Sequence, residues 1–301
     1  MPDPTVVLEA SAKALLYASL LLVIGASAAR WLLLPRVGGE LGTEGIAVVE
    51  RSVARLALLA AVGVVAASGL RVWTHTVAAF GFEGARSRDA LELVAVRSRW
   101  GSGWRPQMAA AFVLVLASAV TVWRRTAWLL ATPAALVMTA VIPRLGHAAG
   151  DMVRMAVHTV HLFAGGLWVG TLAVVLLARL PPSIPAAIDR ALTRQHVRAL
   201  ILRSFWPIAL SGSAAAAAAG VVMALWYVGS WTNLSTTAYG RVLLLKVGLV
   251  GTVAVCGGVN WRRLHRSPET GHASLSIAVL ESVLALAVVI VTGYLTEIGH
   301  P

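Results

Sequence analysis

What most constrains this chain is the length and purity of its apolar runs. Eight stretches, roughly 8–34, 50–72, 106–123, 127–142, 154–179, 203–228, 241–261 and 274–297, carry few or no charges inside them. A helix needs about 20 apolar residues to cross the hydrocarbon core of a bilayer. Lipid offers no partner to an unpaired peptide group, so only helices and closed barrels cross it. The runs are long and do not alternate with a period of two, which excludes a barrel. The expected fold is all-α: a polytopic integral membrane bundle of eight transmembrane helices, one domain over residues 1–301. Composition agrees, with 58% hydrophobic and 13% charged residues. A soluble fold of this size could not bury so much apolar surface and keep a wettable exterior. A soluble enzyme, a disordered tail and a disulfide scaffold are excluded, and no catalytic constellation is expected. Met1-Pro2-Asp3-Pro4 has no basic segment and the run after it is too long for a signal peptide, so it reads as a permanent span.

Loop charge then gives a direction. The net charge is +12, from 25 Lys and Arg against 13 acids. The bases sit at the ends of apolar runs and are not interleaved with aromatics on a polar surface, so they report topology and not nucleic-acid binding. Arg124 and Arg125 lie between spans three and four. Arg179, Arg190, Arg194, Arg198 and Arg203 lie between five and six, and Arg262, Arg263 and Arg266 between seven and eight. The loop from Val228 to Tyr239 has no base, and that between spans four and five only Arg144 and Arg154. Basic loops stay in the cytoplasm, so both termini are expected outside, in a multi-pass membrane protein. The loop from Val72 to Arg105 runs against the rule, with five arginines partly offset by Glu83, Asp89 and Glu92. Residues 181–196 read as the main cytoplasmic linker with a short amphipathic helix.

With a direction assigned, the metal-capable side chains separate by side. Met108, Met138, Met152, Met155 and Met223 all map to the outer half, as do His75, His147, His158, His161 and His300. The densest cluster is HAAGDMVRMAVHTVH, His147 to His161. Met152, Met155, His158 and His161 follow at intervals of three, which keeps neighbours adjacent on a helix. The direction drifts by about 60° per step, so His158 and His161 can share a site and Met155 can join His158, but all four cannot face one point. Thioethers select Cu(I) and imidazole accepts copper, while no acidic cluster offers a Ca²⁺ or Mg²⁺ cage. Ionisable side chains inside a membrane are rare and mostly functional. The candidate copper ligands are His158, His161, His147, Met155, Met152 and His75, with Asp151 as an orienting partner for a ligand. Lys246 is expected to pair with Glu297, and Glu281 to meet Asn260 or Arg263. Cys256, the single cysteine, reads as a small residue at a tight helix crossing.

The second half has a family resemblance. HTVHLFAGGLWVG (158–170), FWPIALSGSAAAAAAGVVMAL, TAYGRVLLLKVGLV (237–250), Asn260 with Arg262, Arg263 and Leu264, and LESVLALAVVIVTGYLT (280–296) together resemble the CopD copper-resistance family over a core of residues 154–297. The most specific pieces are HxxH followed by GxLWxG, and YGRxLLxK. Glu281, early in the last span, also fits. Trp261 between Asn260 and the arginines is a departure. The resemblance implies an inner-membrane protein of eight helices that handles copper at the periplasmic face, with His158 and His161 as ligands. It also implies work beside a separate small periplasmic copper-binding protein of the CopC type. Copper import or hand-over is the leading reading; a haem-binding redox protein using the same histidines is the alternative.

Overall fold

The computed structural model describes residues 3–146, 148–180, 190–266 and 275–300; of 190–196, 264, 265, 275, 276 and 278 it describes the backbone alone. Among the described residues all regular structure is helical. Six helices are long and apolar enough to cross a membrane: Pro4–Gly84, Arg99–Thr121, Arg125–Leu145, Met152–Leu177, Val197–Val228 and Ala238–Arg263, with a shorter apolar helix at Val279–Leu295.

The first of these is a hairpin. Helix α1 (Pro4–Ala28) passes through one widened turn, Ala29–Leu33, into α2 (Leu34–Gly84), whose course breaks at Gly42 with φ 66° and ψ 173°. Only glycine takes that backbone shape without strain. Beyond the break the chain doubles back. Arg30 pairs with Glu50 at 3.0 Å, Ser19 lies against Gly63, and Glu9 bonds His75. Each step forward along α1 meets a step backward along α2, so the two are antiparallel neighbours. The start of α1 is set by Asp3, which accepts from the Thr5 amide at 2.8 Å beside Pro4 in the first turn.

Besides the short helices Arg88–Glu92 and Asn233–Thr236, the chain continues with α3 (Arg99–Thr121), α4 (Trp128–Val141), α5 (Met152–Gly165), α6 (Thr171–Leu177), α7 (Arg190–Val228), α8 (Ala238–Arg266) and α9 (Leu275–Leu295). A widened turn, Gly166–Gly170, makes α5 and α6 continuous. The fourth apolar run is short as expected: α4 has 14 residues and runs into a tight turn at Ile142–Leu145 that holds Pro143. The loop expected from Val72 to Arg105 is shorter in the structure. Residues 73–80 continue α2 up to a break at Gly81 (φ 72°), and α3 already begins at Arg99. His75 therefore stands on a helix. Of the expected linker, residues 181–189 lie outside the described residues.

Helix α1 is central. Leu16, Leu20 and Ile24 are fully buried, and α1 packs on α2, α5, α6 and α9. Its crossing with the α5–α6 turn is backbone against backbone. A Cβ on Gly170 would stand 1.9 Å from the Leu21 carbonyl oxygen, and one on Gly25 2.1 Å from the Gly170 carbonyl carbon. Gly212 of α7 takes the other side of the same turn, where a Cβ would stand 3.0 Å from the Ala164 oxygen and the Trp168 nitrogen. Small residues let membrane helices approach this closely, and here they fix α5 between α1 and α7. Outward faces are apolar and exposed, as at Leu59, Leu116, Val255 and Ile290, which is the surface a bilayer covers. The chain is a multi-pass, all-helical membrane protein.

Candidate metal-binding site

The sequence cluster sits on α5, which starts at Asp151. Its carboxylate accepts from the Val153 and Arg154 amides at 2.9 and 3.0 Å, satisfying two of the helix's orphan donors. The same carboxylate pairs with Arg154 at 3.3 Å. Asp151 is thus a helix cap and a partner to Arg154; His147, the histidine nearest to it in sequence, lies outside the described residues.

Both histidines of the HxxH pair turn toward α7. His161 Nδ1 donates to the Ala216 carbonyl at 2.8 Å. A carbonyl can only accept, so Nδ1 carries the proton and Nε2 of the neutral ring keeps its lone pair. This is how proteins prepare an imidazole for metal, with a backbone oxygen setting tautomer and orientation. Gly220 makes room for it, since a Cβ there would stand 3.3 Å from His161 Cε1. Positions 216 and 220 are one helical turn apart on the face that α7 turns to α5.

His158 shares a hydrogen bond between Nε2 and the Tyr227 hydroxyl at 3.1 Å. Tyr227, near the end of α7, gathers the rim of the site. The His300 ring lies 5.1 Å from its centroid, and Tyr239 of α8 is 6.4 Å from His300. The Arg154 guanidinium lies 5.8 Å from the ring centroids of both Trp226 and Tyr227. His158, Tyr227 and His300 therefore come together from three parts of the chain. Met155 is half-buried one turn before His158, and Met152 is 77% exposed at the helix start. His147 lies outside the described residues. Among the described residues no three His, Cys, Asp or Glu side chains close around one point.

His75 belongs elsewhere. Its Nδ1 donates to Glu9 at 2.8 Å and its ring stacks on Trp100 at 4.4 Å. Around it runs a buried polar network joining α1, α2, α3 and the end of α9. Arg71 donates to Gln107 at 3.0 Å, Gln107 donates to Ser68 at 3.0 Å, and Lys13 pairs with Glu297 at 2.7 Å. Lys13 also donates to the Thr296 carbonyl at 3.2 Å. The expected Lys246–Glu297 pair is replaced by Lys13–Glu297, because the neighbour of α9 on this side is α1. Sequence reasoning missed Tyr227 and Gly220. Their signal was the position of both on one face of α7, legible only once α7 is known to pack on α5.

Residues 199–295 match the family model described as copper resistance protein D. That stretch of the chain is a CopD-family region. The match is narrower than the expected core of 154–297 and begins after His158 and His161, so the pair rests on its own geometry. The chain is 29% identical over 160 residues to the copper transport protein CutJ of Bacillus subtilis (strain 168), an alignment covering 52% of this chain and 28% of that protein. The chain thus matches little more than a quarter of the length of that curated relative. No solved structure matches the chain. The chain thus joins a multi-pass helical bundle to a stretch similar to the copper resistance protein D family.

Proposed function

We propose that this protein binds Cu(I) at the His158–His161 end of the bundle and imports it or hands it on, as a binding and transfer protein and not an enzyme. The observation that carries the reading is the His161 ring, held by the Ala216 carbonyl with Nε2 left as the donor. His158 lies three residues away on the same face of α5, with Tyr227 fixing its ring and His300 beside it. His147, Met155 and Met152 are the further donors this end of the chain offers, and thioether and imidazole donors favour a soft ion such as Cu(I). The CopD-family region supplies α7, α8 and α9, the walls against which the pair rests. In the alternative, a haem would sit between the pair and His75 or His147; His75 is instead stacked on Trp100 and bonded to Glu9.

In this reading the bundle crosses the inner membrane eight times, counting the α1–α2 hairpin twice and α9 once. Both termini lie outside with the histidine cluster, and the arginine-rich ends lie in the cytoplasm. A separate periplasmic copper-binding chain of the CopC type would deliver the ion. The test is a Cu(I) titration of purified protein in nanodiscs. His158→Ala with His161→Ala should abolish binding while the protein still elutes as a folded species. A double variant that binds copper as tightly as the parent refutes the site.

A further inference from the structure

A cavity of about 230 Å³ lies in the half of the bundle away from the histidine cluster, enclosed by α6, α7, α8 and α9 and by Trp168 of the widened turn. Much of its wall is aromatic and apolar, including the stacked pair Trp206 and Trp261 at 5.2 Å. Into this wall are set Glu281 from α9, Asn260 from α8, and Ser213 and Arg203 from α7. Glu281 and Asn260 are each only 5% exposed. Asn260 Oδ1 is buried with no hydrogen-bond partner among the described residues. The Glu281 carboxylate lies against Gly257, where a Cβ would stand 3.2 Å from Oε1.

A buried carbonyl left without a donor is costly to fold, and a carboxyl inside a membrane marks a functional site by default. The space is large enough for several waters, which need polar partners to be held. The acceptors there are oxygens: carboxylate, amide and hydroxyl. Among the described residues no imidazole, thiol or thioether lines the cavity, so its chemistry is not that of the copper site. Arg203, the other ionisable side chain in the wall, opposes a resident metal cation and balances the carboxylate when it is charged.

We propose that this cavity is a hydrated proton site. Glu281 takes a proton from water to become a neutral carboxylic acid and returns it to water as a carboxylate. Asn260 Oδ1 anchors the water that connects it to the arginine-rich end of the bundle. The site is distinct from the histidine cluster and stands whether or not copper is the cargo.

Infrared difference spectroscopy on the full chain in nanodiscs, free of copper, tests this. On acidification the parent protein should gain a carboxylic C=O band that shifts in D₂O, and Glu281→Gln should lose that band. Glu281→Asp, which keeps a carboxyl, should show it displaced. Asn260→Leu should keep the band but slow its exchange with D₂O several-fold. The proposal is overturned if Glu281→Gln leaves the spectrum unchanged, if the band follows sodium at fixed pH, or if Asn260→Leu exchanges as fast as the parent. A Cu(I) titration on the same Glu281→Gln sample separates the two readings. Unchanged affinity shows the bundle folded, and failure of the copper site would leave the infrared band in place.

Discussion

Replacing Gly170 by alanine should loosen the whole bundle, and the size of the effect can be worked from the crossing. The added Cβ would lie 1.9 Å from the Leu21 oxygen and 2.7 Å from its carbonyl carbon, where carbon normally approaches such an oxygen to about 3.3–3.6 Å. The obstacle is backbone on both sides, so no side chain can turn away. The helices must part by roughly 1.5 Å, more than the 0.5–1 Å gap that already forfeits a quarter to a half of each contact. Overpacking of this kind costs about 1–3 kcal/mol and sometimes more, and a backbone obstacle belongs at the upper end. Alanine returns about 1 kcal/mol through helix propensity. The net expectation is a loss of about 2 kcal/mol. Gly248→Ala is the control, because nothing lies within 4 Å of a Cβ there and only the propensity gain remains. Reversible unfolding in mixed micelles should separate the two variants by about 3 kcal/mol, the sum of that loss and that gain. Equal stabilities for Gly170→Ala and Gly248→Ala would refute the account of the GxLWxG motif as a backbone crossing.

Three further outcomes follow from the same geometry. Tyr227→Phe removes the hydroxyl that orients His158 and should weaken Cu(I) binding roughly 10-fold, within the range of 10–100 seen when an outer partner of a ligand is lost; the readout is a competition titration, with unfolding unchanged. Gly220→Val should push the His161 ring away from the Ala216 carbonyl and weaken copper binding more than Gly220→Ala, measured in the same titration. Lys13→Met should destabilise the bundle by about 3–5 kcal/mol by leaving Glu297 without its partner, whereas Lys13→Met with Glu297→Met should recover most of that loss, as read by a double-mutant unfolding cycle.

Much of the architecture was legible from apolar run length alone, because lipid leaves the backbone so few options. What the runs could not give was where each helix ends. The residues from Trp73 to Phe80 are not apolar enough to read as a span, yet they stay helical because His75 finds Glu9 and Trp100 at the level of the rim. Polar residues read as loop when judged one at a time and as helix when a partner waits on the next element. The same reason explains the exchange of partners at Glu297. Both α1 and α8 pack on α9, and it is Lys13 of α1 that reaches Glu297, at 2.7 Å. The approach of α1 to α9 rests on Gly293, where a Cβ would stand 2.5 Å from the Ala10 oxygen.

The glycines also explain why the candidate site could be half read. HxxH gave the donors, since two histidines three apart share a helix face whatever surrounds them. It did not give their partners, which lie on α7 some 55 and 69 residues further along the chain. Gly166, Gly170 and Gly212 bring α5 close enough to α1 and α7 for a backbone carbonyl and a phenol to reach the two rings. The motif that looked like an appendix to the histidines is therefore the device that aims them. A variant that separates these helices should lose its imidazole geometry together with its packing, even with every donor in place.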